Sequence, residues 1–284
     1  TEGSHAMSRN YLPGTQIEII NEPKERGRLK HGLFDFDGTV SLLREGWQQV
    51  MKPVMLESIL GDHESTPEIE AAVEDYIEES SGINTILQME HLVKMVKDYG
   101  YIEELRIQDA QGYKGIYNER LMESVRQRIA KVAERELTVD QVTVRGSVDF
   151  VRRMHRRGLA MYIFSGTDEP DVKNESSLVG VARYFDEIRG ALKTYAEQNK
   201  EQIIKDLIAK HDLHGVEVLV VGDGPVEIRH GREHECITVG VCSDEVRGRG
   251  WNEDKRERLI KAGADILIPD FGEADKLEAY LFAE

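Results

Sequence analysis

Asp35 and Asp37 are the residues whose types and spacing point most directly to chemistry in this sequence. They interrupt a short run of leucine and phenylalanine that is typical of a buried strand, and Gly38 behind them permits a tight turn. An unpaired carboxylate is costly to bury, so a pair at this place needs a metal ion, another cation or an exposed strand end. For a lone Asp-x-Asp the alternative is a strand that runs into an acidic turn.

Polar residues follow two other apolar stretches in the same way. The segment 165–167, Ser-Gly-Thr, comes after a predicted strand at 159–164, and Asp223 comes after a strongly β-branched strand at 216–221. Ligands of open parallel sheets gather at the carboxyl ends of the strands, so these ends are expected to form one site. The Ser165 hydroxyl and nearby N–H groups could hold a phosphate oxygen, although a serine here is also a common helix cap.

The elements that must position these residues alternate between strands and helices from Val142 onward. Strands are predicted at 159–164, near Ile188, and at 216–221, 236–241 and 265–268, with helices at 146–157, through 178–184 and at 201–211. Residues 17–20 alternate like an edge strand. This order predicts an α/β fold with a parallel sheet and helices on both faces.

Residues 44–140 have a different pattern, because apolar residues recur there at helical spacing and no strand signal appears. Four helices are predicted, at about 47–59, 68–79, 86–99 and 116–134. Their methionine and aromatic stripes are predicted to pack in a core rather than to bind a cofactor.

Four segments in order resemble the motifs of the haloacid dehalogenase (HAD) superfamily. Residues 35–39, Asp-Phe-Asp-Gly-Thr, resemble the first motif, and Ser165 at a strand end resembles the second. Lys200 resembles the lysine of the third motif by its separation from Asp223. Gly-Asp-Gly-Pro-Val-Glu, ending at Glu227, resembles the fourth motif, Gly-Asp-x-x-x-Asp, but places glutamate where aspartate is commoner.

The resemblance implies a role for each carboxylate. Asp35 is expected to be the nucleophile and a ligand of Mg²⁺, and Asp37 the general acid and base, which also binds the metal through its backbone carbonyl. Asp223 is expected to bind the metal directly. For Glu227 the extra methylene leaves open whether it contacts the metal or acts through water.

The phosphate-binding residues implied by the resemblance are Ser165, Gly166 and Lys200. A lysine there would neutralise the phosphoryl group and the nucleophile. Lys193 is the competing candidate for this position, and spacing favours Lys200.

The fold implied is a Rossmann-like core at residues 8–43 and 141–284, with an inserted helical C1 cap domain at 44–140. The activity implied is a Mg²⁺-dependent phosphomonoesterase that acts on a small phosphorylated metabolite through an aspartyl-phosphate. The alternatives are a phosphomutase of the β-phosphoglucomutase type, which keeps the second aspartate, and a non-catalytic HAD-like binding protein, which predicts the loss of a motif residue.

Composition restricts the partners. The formal net charge of −16 would repel a polyanion, so no nucleic-acid partner is expected, whereas a metal and a lysine can meet the charge of a small phosphate ester locally. No apolar run approaches the ~18 residues of a membrane span, so no membrane partner is expected. The oligomeric state stays open.

Cys236 and Cys242 lie near one predicted strand and supply no disulfide framework, which favours a cytoplasmic location. The first seven residues, Thr-Glu-Gly-Ser-His-Ala-Met, are interpreted as an expression-tag remnant, with the native chain expected to start near Met7 and no signal peptide visible.

Two weaker signals have ordinary explanations. Residues 230–234 match the His-x-x-Glu-His pattern of inverzincins, but no third ligand is indicated, so a chance match is favoured over a zinc site. Arg44, Glu45 and Lys114, the last in a Gly-Tyr-Lys-Gly turn, could reach a substrate, but each is expected to be a solvated surface residue.

Overall fold

The computed structural model of the protein describes residues 9–80, 85–192, 200–245 and 247–284. The strands in these ranges are β1 (Glu18–Ile19), β2 (His31–Asp35), β3 (Ala160–Asp168), β4 (Glu187–Ala191), β5 (Val218–Gly222), β6 (Ile237–Val241) and β7 (Ile266–Ile268). The helices are α1 (Trp47–Leu60), α2 (Pro67–Glu79), α3 (Thr85–Tyr99), α4 (Ala110–Ala133), α5 (Ser147–Arg156), α6 (Glu169–Leu178), α7 (Lys200–His211), α8 (Pro225–Glu233), α9 (Glu253–Ala262) and α10 (Ala274–Leu281).

The strands form one sheet in the order β1-β7-β6-β5-β2-β3-β4. All neighbours run parallel except β1, which pairs antiparallel with β7 at the edge. The predicted α/β class and the predicted edge strand are therefore confirmed. Strand β2 lies between β3 and β5, so the carboxyl ends of these three strands meet at one edge of the sheet.

Side chains of β2 alternate between two apolar cores, as the period of a strand requires. Phe34 packs into the cluster that includes Phe150 of α5, and Leu33 packs on the other side of the sheet with Ile203 and Leu207 of α7. Both faces of the sheet are thus covered by helices, which is the arrangement expected of parallel strands.

Helices α1–α4 share an apolar cluster of their own, to which Met51, Met55, Met89 and Met95 contribute. These methionines are core residues, as predicted. A Rossmann-like core with a helical cap is therefore the observed fold. The proposed domain limits at 43/44 and 140/141 stay predictions.

Helix α4 begins six residues before its predicted start, because Asp109 caps it. The Asp109 carboxylate accepts a hydrogen bond from the N–H of Gly112 at 2.7 Å, the usual N-cap contact. Gly112 and Gly115 have low helix propensity and concealed this first part of the helix in the sequence. Lys114 therefore lies in α4, and the prediction that it belongs to a turn is wrong.

The helix predicted through residues 178–184 ends at Leu178, where α6 ends. Gly180 has φ of +77°, which interrupts the helix, and only a single 3₁₀ turn follows at Ala182–Tyr184. None of the helices in the described ranges is long and apolar enough to span a bilayer. The presumed tag at residues 1–7 lies outside the described residues.

Candidate active site

The site lies where β2, β3 and β5 end side by side. Asp35 is the last residue of β2, and Asp223 directly follows β5. Strand β3 extends beyond its predicted end and contains Ser165 and Thr167, in a stretch where its pairing with β4 is irregular. Such an irregularity re-aims side chains at a strand end. The structure thus brings the three predicted strand ends together.

Lys200, the first residue of α7, reaches into this site. Its Nζ lies 2.7 Å from Asp35 Oδ2 and 3.1 Å from Glu227 Oε2. Burial by itself lowers the pKa of Lys200, but Asp35, Glu227 and Asp223 outweigh that effect and raise it. Lys200 is therefore a fixed cation. The competing Lys193 lies outside the described residues.

Both oxygens of Asp35 are held. Oδ1 accepts a hydrogen bond from the N–H of Phe36 at 2.8 Å, and Oδ2 accepts one from Lys200. Burial raises the pKa of Asp35 well above its ordinary value, and the charges of Glu227 and Asp223 add to this effect while Lys200 opposes it. Lys200 alone does not outweigh burial and the two neighbouring acids, so a further cation would be needed to favour the charged form of Asp35.

Asp223 is held by a second buried lysine that sequence reasoning missed. Lys255 of α9, which is 7% exposed, places its Nζ 2.8 Å from Asp223 Oδ2 and 2.6 Å from Glu245 Oε1. Burial would raise the pKa of Asp223, but Lys255 and Lys200 hold it below its usual value. Nothing in the sequence of α9 distinguishes Lys255 from a solvated helical lysine.

Gly38 forms a turn that brings the chain against Asp223. Its φ is +75°, and a Cβ built on it would collide with Asp223 Oδ2 and lie 3.0 Å from Glu245 Oε1. Glycine is required here both by the backbone conformation and by the close approach. The Asp-Gly order of the motif therefore has a physical cause.

Glu227 is fully buried and faces the same point as the two aspartates. Its Oε1 accepts a hydrogen bond from the N–H of Gly224 at 2.8 Å, and its Oε2 has no hydrogen bond among the described residues. Oxygens of Asp35, Asp223 and Glu227 lie within 4.8 Å of one another. A hard divalent cation such as Mg²⁺ prefers carboxylate oxygens, so this set fits one. The Asp37 side chain is not part of the group.

The two oxygens of Asp37 differ in their surroundings. Oδ2 accepts hydrogen bonds from Ser165 Oγ at 3.1 Å and from Thr167 Oγ1 at 2.8 Å. Oδ1 is buried and has no hydrogen-bond partner among the described residues. The hydroxyls therefore fix the orientation of the carboxylate through one of its two oxygens.

Arg44 is not the solvated residue that the sequence predicted. Its side chain is 13% exposed and pairs with Glu175 and Asp171 of α6, at 2.6 Å and 3.3 Å. Burial raises the pKa of Glu175 to about 7, while the Arg44 guanidinium opposes the shift. Asp171 and Glu175 are four residues apart on α6, a spacing that places both on one helix face. The spacing of these two acids could have indicated a bound cation in the sequence, but it does not reveal that the cation is Arg44.

A cavity of about 430 Å³ opens above these residues. Its floor contains Asp35, Asp37 and Lys200, with Gly166 at the side, and its opposite wall comes from the cap helices. Cap residues that line it include Trp47, Gln88, Lys114, Tyr117, Asn118 and Leu121, and the linker residue Glu45 lines it as well. The site is therefore enclosed between the sheet and the helical insertion.

His230 of the His-x-x-Glu-His pattern is buried beside acidic side chains. Its Nδ1 lies 3.2 Å from Glu233, and its Nε2 lies 3.4 Å from Glu201. His230 thus faces one acidic side chain of its own helix α8 and one of α7. In the described ranges, the group with metal-ligand geometry is the one formed by Asp35, Asp223 and Glu227.

A family model for haloacid dehalogenase-like hydrolases matches residues 29–234. The match covers well over half of the chain, and this protein therefore belongs to that family of hydrolases. The insertion of α1–α4 directly after the first motif matches the C1-capped group, so the resemblance inferred from the motifs is confirmed. No curated protein of similar sequence was found.

Solved structures with similar folds cover most of the chain. A predicted phosphoglycolate phosphatase from Haemophilus somnus 129PT has a TM-score of 0.59 at 14% identity, covering 88% of this chain and 98% of its own. A predicted phosphatase from Clostridium acetobutylicum has a TM-score of 0.58 at 15% identity, with the same coverages. A β-phosphoglucomutase from Clostridium difficile has a TM-score of 0.57 at 13% identity, covering 89% and 97%. At these identities the likeness shows the fold alone.

Proposed function

We propose that this hydrolase is a Mg²⁺-dependent phosphomonoesterase that acts on a small phosphorylated metabolite. The observation that carries the proposal is the position of Asp35, which faces a cavity between Lys200 and the carboxylates of Asp223 and Glu227. A carboxylate beside a fixed cation and a potential metal site is suited to attack on a phosphate dianion. Phosphatases among the structural neighbours agree with this assignment.

In the first step, a carboxylate oxygen of Asp35 attacks phosphorus and the bond to the ester oxygen breaks. Asp37 donates its proton to the leaving oxygen, so an alcohol departs and an aspartyl-phosphate remains. The oxygen of Asp37 proposed to carry the proton is Oδ1, because Oδ2 is occupied by Ser165 and Thr167.

In the second step, water attacks the phosphorus of the aspartyl-phosphate. Asp37, now a carboxylate, takes a proton from the water, and the acyl-phosphate bond breaks to release phosphate and free Asp35. Lys200, the Gly166 N–H and the Ser165 hydroxyl are proposed to hold the phosphoryl oxygens during both steps. For this the Ser165 hydroxyl turns from Asp37 Oδ2 to the phosphate, while Thr167 keeps its hydrogen bond to Asp37 Oδ2. Gly166 lies beside Lys200, with a built Cβ 3.9 Å from the lysine Cβ.

Asp35, Asp223 and Glu227 would hold Mg²⁺, together with the backbone carbonyl of Asp37. A bound Mg²⁺ would neutralise phosphoryl charge and keep the Asp35 carboxylate ionised beside its acidic neighbours. Lys255 and Thr39, the latter with its Oγ1 3.4 Å from Asp223 Oδ1, would orient the Asp223 carboxylate.

The test is a screen for release of inorganic phosphate from sugar phosphates, nucleotides and phosphoglycolate, with Mg²⁺ and with a chelator. The Asp35→Asn protein, purified identically, is the blank for contaminating phosphatases. Metal-dependent release above that blank supports the proposal. Isomerisation of a sugar phosphate without net release would instead indicate a mutase, and binding without either reaction would indicate a non-catalytic protein.

A further inference from the structure

Arg44 is a largely buried cation beside the active site that belongs to none of the four motifs. Its Nε donates to Glu175 Oε2 at 3.2 Å, and its Nη2 donates to Glu175 Oε1 at 2.6 Å and to Asp171 Oδ2 at 3.3 Å. Glu175 is 1% exposed. A two-point contact between guanidinium and carboxylate fixes the plane of the guanidinium, so α6 of the core determines where Arg44 lies.

The backbone around Arg44 is held by the cap. Arg128 of α4 donates through Nη1 to the carbonyl oxygens of Leu43 and Glu45, both at 2.8 Å. These carbonyls lie on either side of Arg44 in the sequence. The linker residue is therefore fixed by its side chain to the core and by its backbone to the cap helix.

Arg44 also faces the free oxygen of Asp37. Its Nε lies 4.0 Å from Asp37 Oδ1, which is too long for a hydrogen bond but close enough for attraction between charges. Asp37 is thus oriented by two hydroxyls at one oxygen and by a fixed positive charge near the other.

We propose that Arg44 is a positioning residue for Asp37, and that it makes proton transfer to the leaving group depend on the contacts of both α6 and α4. This inference rests on the proposed phosphomonoesterase function and adds to it a residue through which cap and core both act on the general acid.

The main competing role for Arg44 is binding of an anionic group of the substrate, because Arg44 lines the cavity. Three of its N–H contacts are already directed at Glu175 and Asp171, which favours the positioning role. A change at Glu175 distinguishes positioning from substrate binding, because Glu175 is not among the residues that line the cavity. An effect of Glu175 on the reaction therefore does not come from contact with the substrate, and its hydrogen bonds lead to Arg44.

The experiment compares Arg44→Gln and Glu175→Gln with the wild type on alkyl and aryl phosphates in single turnovers. Misplacement of a catalytic group costs on the order of 10²-fold in rate, so Arg44→Gln should lose about that much on an alkyl phosphate. An aryl leaving group needs little protonation, and the loss there should be less than about 10-fold. Glu175→Gln should show the same leaving-group dependence with a smaller loss, and KM should change little in either variant.

Arg44→Gln leaves Glu175 buried without its partner and could destabilise the fold. The double variant Arg44→Gln/Glu175→Gln removes both charges, and it should fold and show the same selective loss as Arg44→Gln. Guanidinium ion added to Arg44→Ala should restore part of the alkyl-phosphate rate. Arg120→Gln is the matched control, because Arg120 lies on α4 and pairs with Glu57 at the surface. Its rates should equal those of the wild type.

Equal losses for alkyl and aryl phosphates, or an unchanged rate in Arg44→Gln, would overturn the positioning role. A rise in KM alone in Arg44→Gln, with Glu175→Gln unaffected, would assign Arg44 to substrate binding instead. Each of these outcomes leaves the phosphomonoesterase assignment intact, because the wild type is active in all of them. A wild type that releases no phosphate would overturn both proposals.

Discussion

The ammonium group of Lys200 lies 2.7 Å from Oδ2 of Asp35, although 165 residues separate the two in sequence. Strand β2 ends at Asp35 and helix α7 begins at Lys200, so the contact joins a strand end to a helix start. The pair places a positive charge beside the proposed nucleophile before any phosphate arrives.

Asp35→Asn is expected to abolish turnover and to keep the fold. Loss of the nucleophile should reduce phosphate release by ~10³-fold or more. Removing one of three clustered acids relieves repulsion, so the melting temperature without metal should equal or exceed that of the wild type. Lys200 keeps Glu227 as a partner at 3.1 Å. Near-normal phosphate release by the variant would refute the assignment of Asp35 as nucleophile.

Asp37→Asn should slow both formation and breakdown of the phosphoenzyme. Acid–base catalysis contributes roughly 10²–10⁴-fold, and a loss of this size is expected on alkyl phosphates. The loss in the attack step should shrink as the leaving-group pKa falls, and magnesium affinity should be nearly unchanged because the backbone carbonyl remains. Single-turnover rates on alkyl and aryl phosphates measure how the loss depends on the leaving group. Equal losses on both would mean that Asp37 is not the acid.

Mg²⁺ should be needed for activity and should raise the melting temperature without being needed for folding. A ligand that binds only the native state at 100 times its Kd adds about 2.7 kcal/mol to the free energy of unfolding. Thermal melts with Mg²⁺ and with chelator measure the shift. Asp223→Asn should reduce it, whereas Asp98→Asn, at a surface ion pair with Lys94, should not. Full activity in excess chelator would contradict this prediction.

Gly38→Ala should weaken metal binding as well as the fold, because its Cβ would collide with Asp223 Oδ2. Gly180→Ala is the matched control, since Gly180 has φ of +77° but no atom within 4 Å of a built Cβ. Both variants should lose about 1 kcal/mol or more of unfolding free energy through the backbone conformation. Only Gly38→Ala should also lose the Mg²⁺-dependent rise in melting temperature. The same rise in both variants would show that the close approach is not required.

Glu187 should contribute to stability in a pH-dependent way. It is the first residue of the edge strand β4, whereas the proposed metal ligands lie at or beyond the carboxyl ends of β2 and β5. Partial burial disfavours its charged form, but hydrogen bonds from Lys210, His211 and Arg189 outweigh this and lower its pKa to about 2. Its ordinary pKa is 4.5, so the unfolded state takes up a proton first as the pH falls. The stabilisation should be complete above pH 4.5 and decline toward pH 2.

The measurement for Glu187 is the free energy of unfolding from urea titrations of wild type and Glu187→Gln between pH 3 and pH 7. We expect the wild type to be more stable by roughly 1 kcal/mol at neutral pH, after allowance for solvent screening. The difference should diminish on acidification below pH 4.5. A difference that stays constant across the range would refute the role of the Glu187 charge.

Local sequence determined the fold class and most of its elements. Apolar β-branched runs have few stable arrangements other than buried parallel strands, and the strands at residues 218–222 and 237–241 lie where these runs predicted them. The motif aspartates could be located because strand ends are local features, whereas Lys200 was located by its separation from Asp223 in the family resemblance. Errors arose where glycine concealed a helix at α4 or ended one after Leu178.

Only the tertiary structure decided which charges surround the site. Lys255 and Arg44 have no local mark that separates them from solvated side chains, because their burial depends on what other elements pack above them. The pairing of Arg44 with Glu175 joins a linker to a helix 131 residues away. Such contacts depend on the packing of α6, α9 and the cap on the sheet, and one sequence does not encode that packing in any short segment.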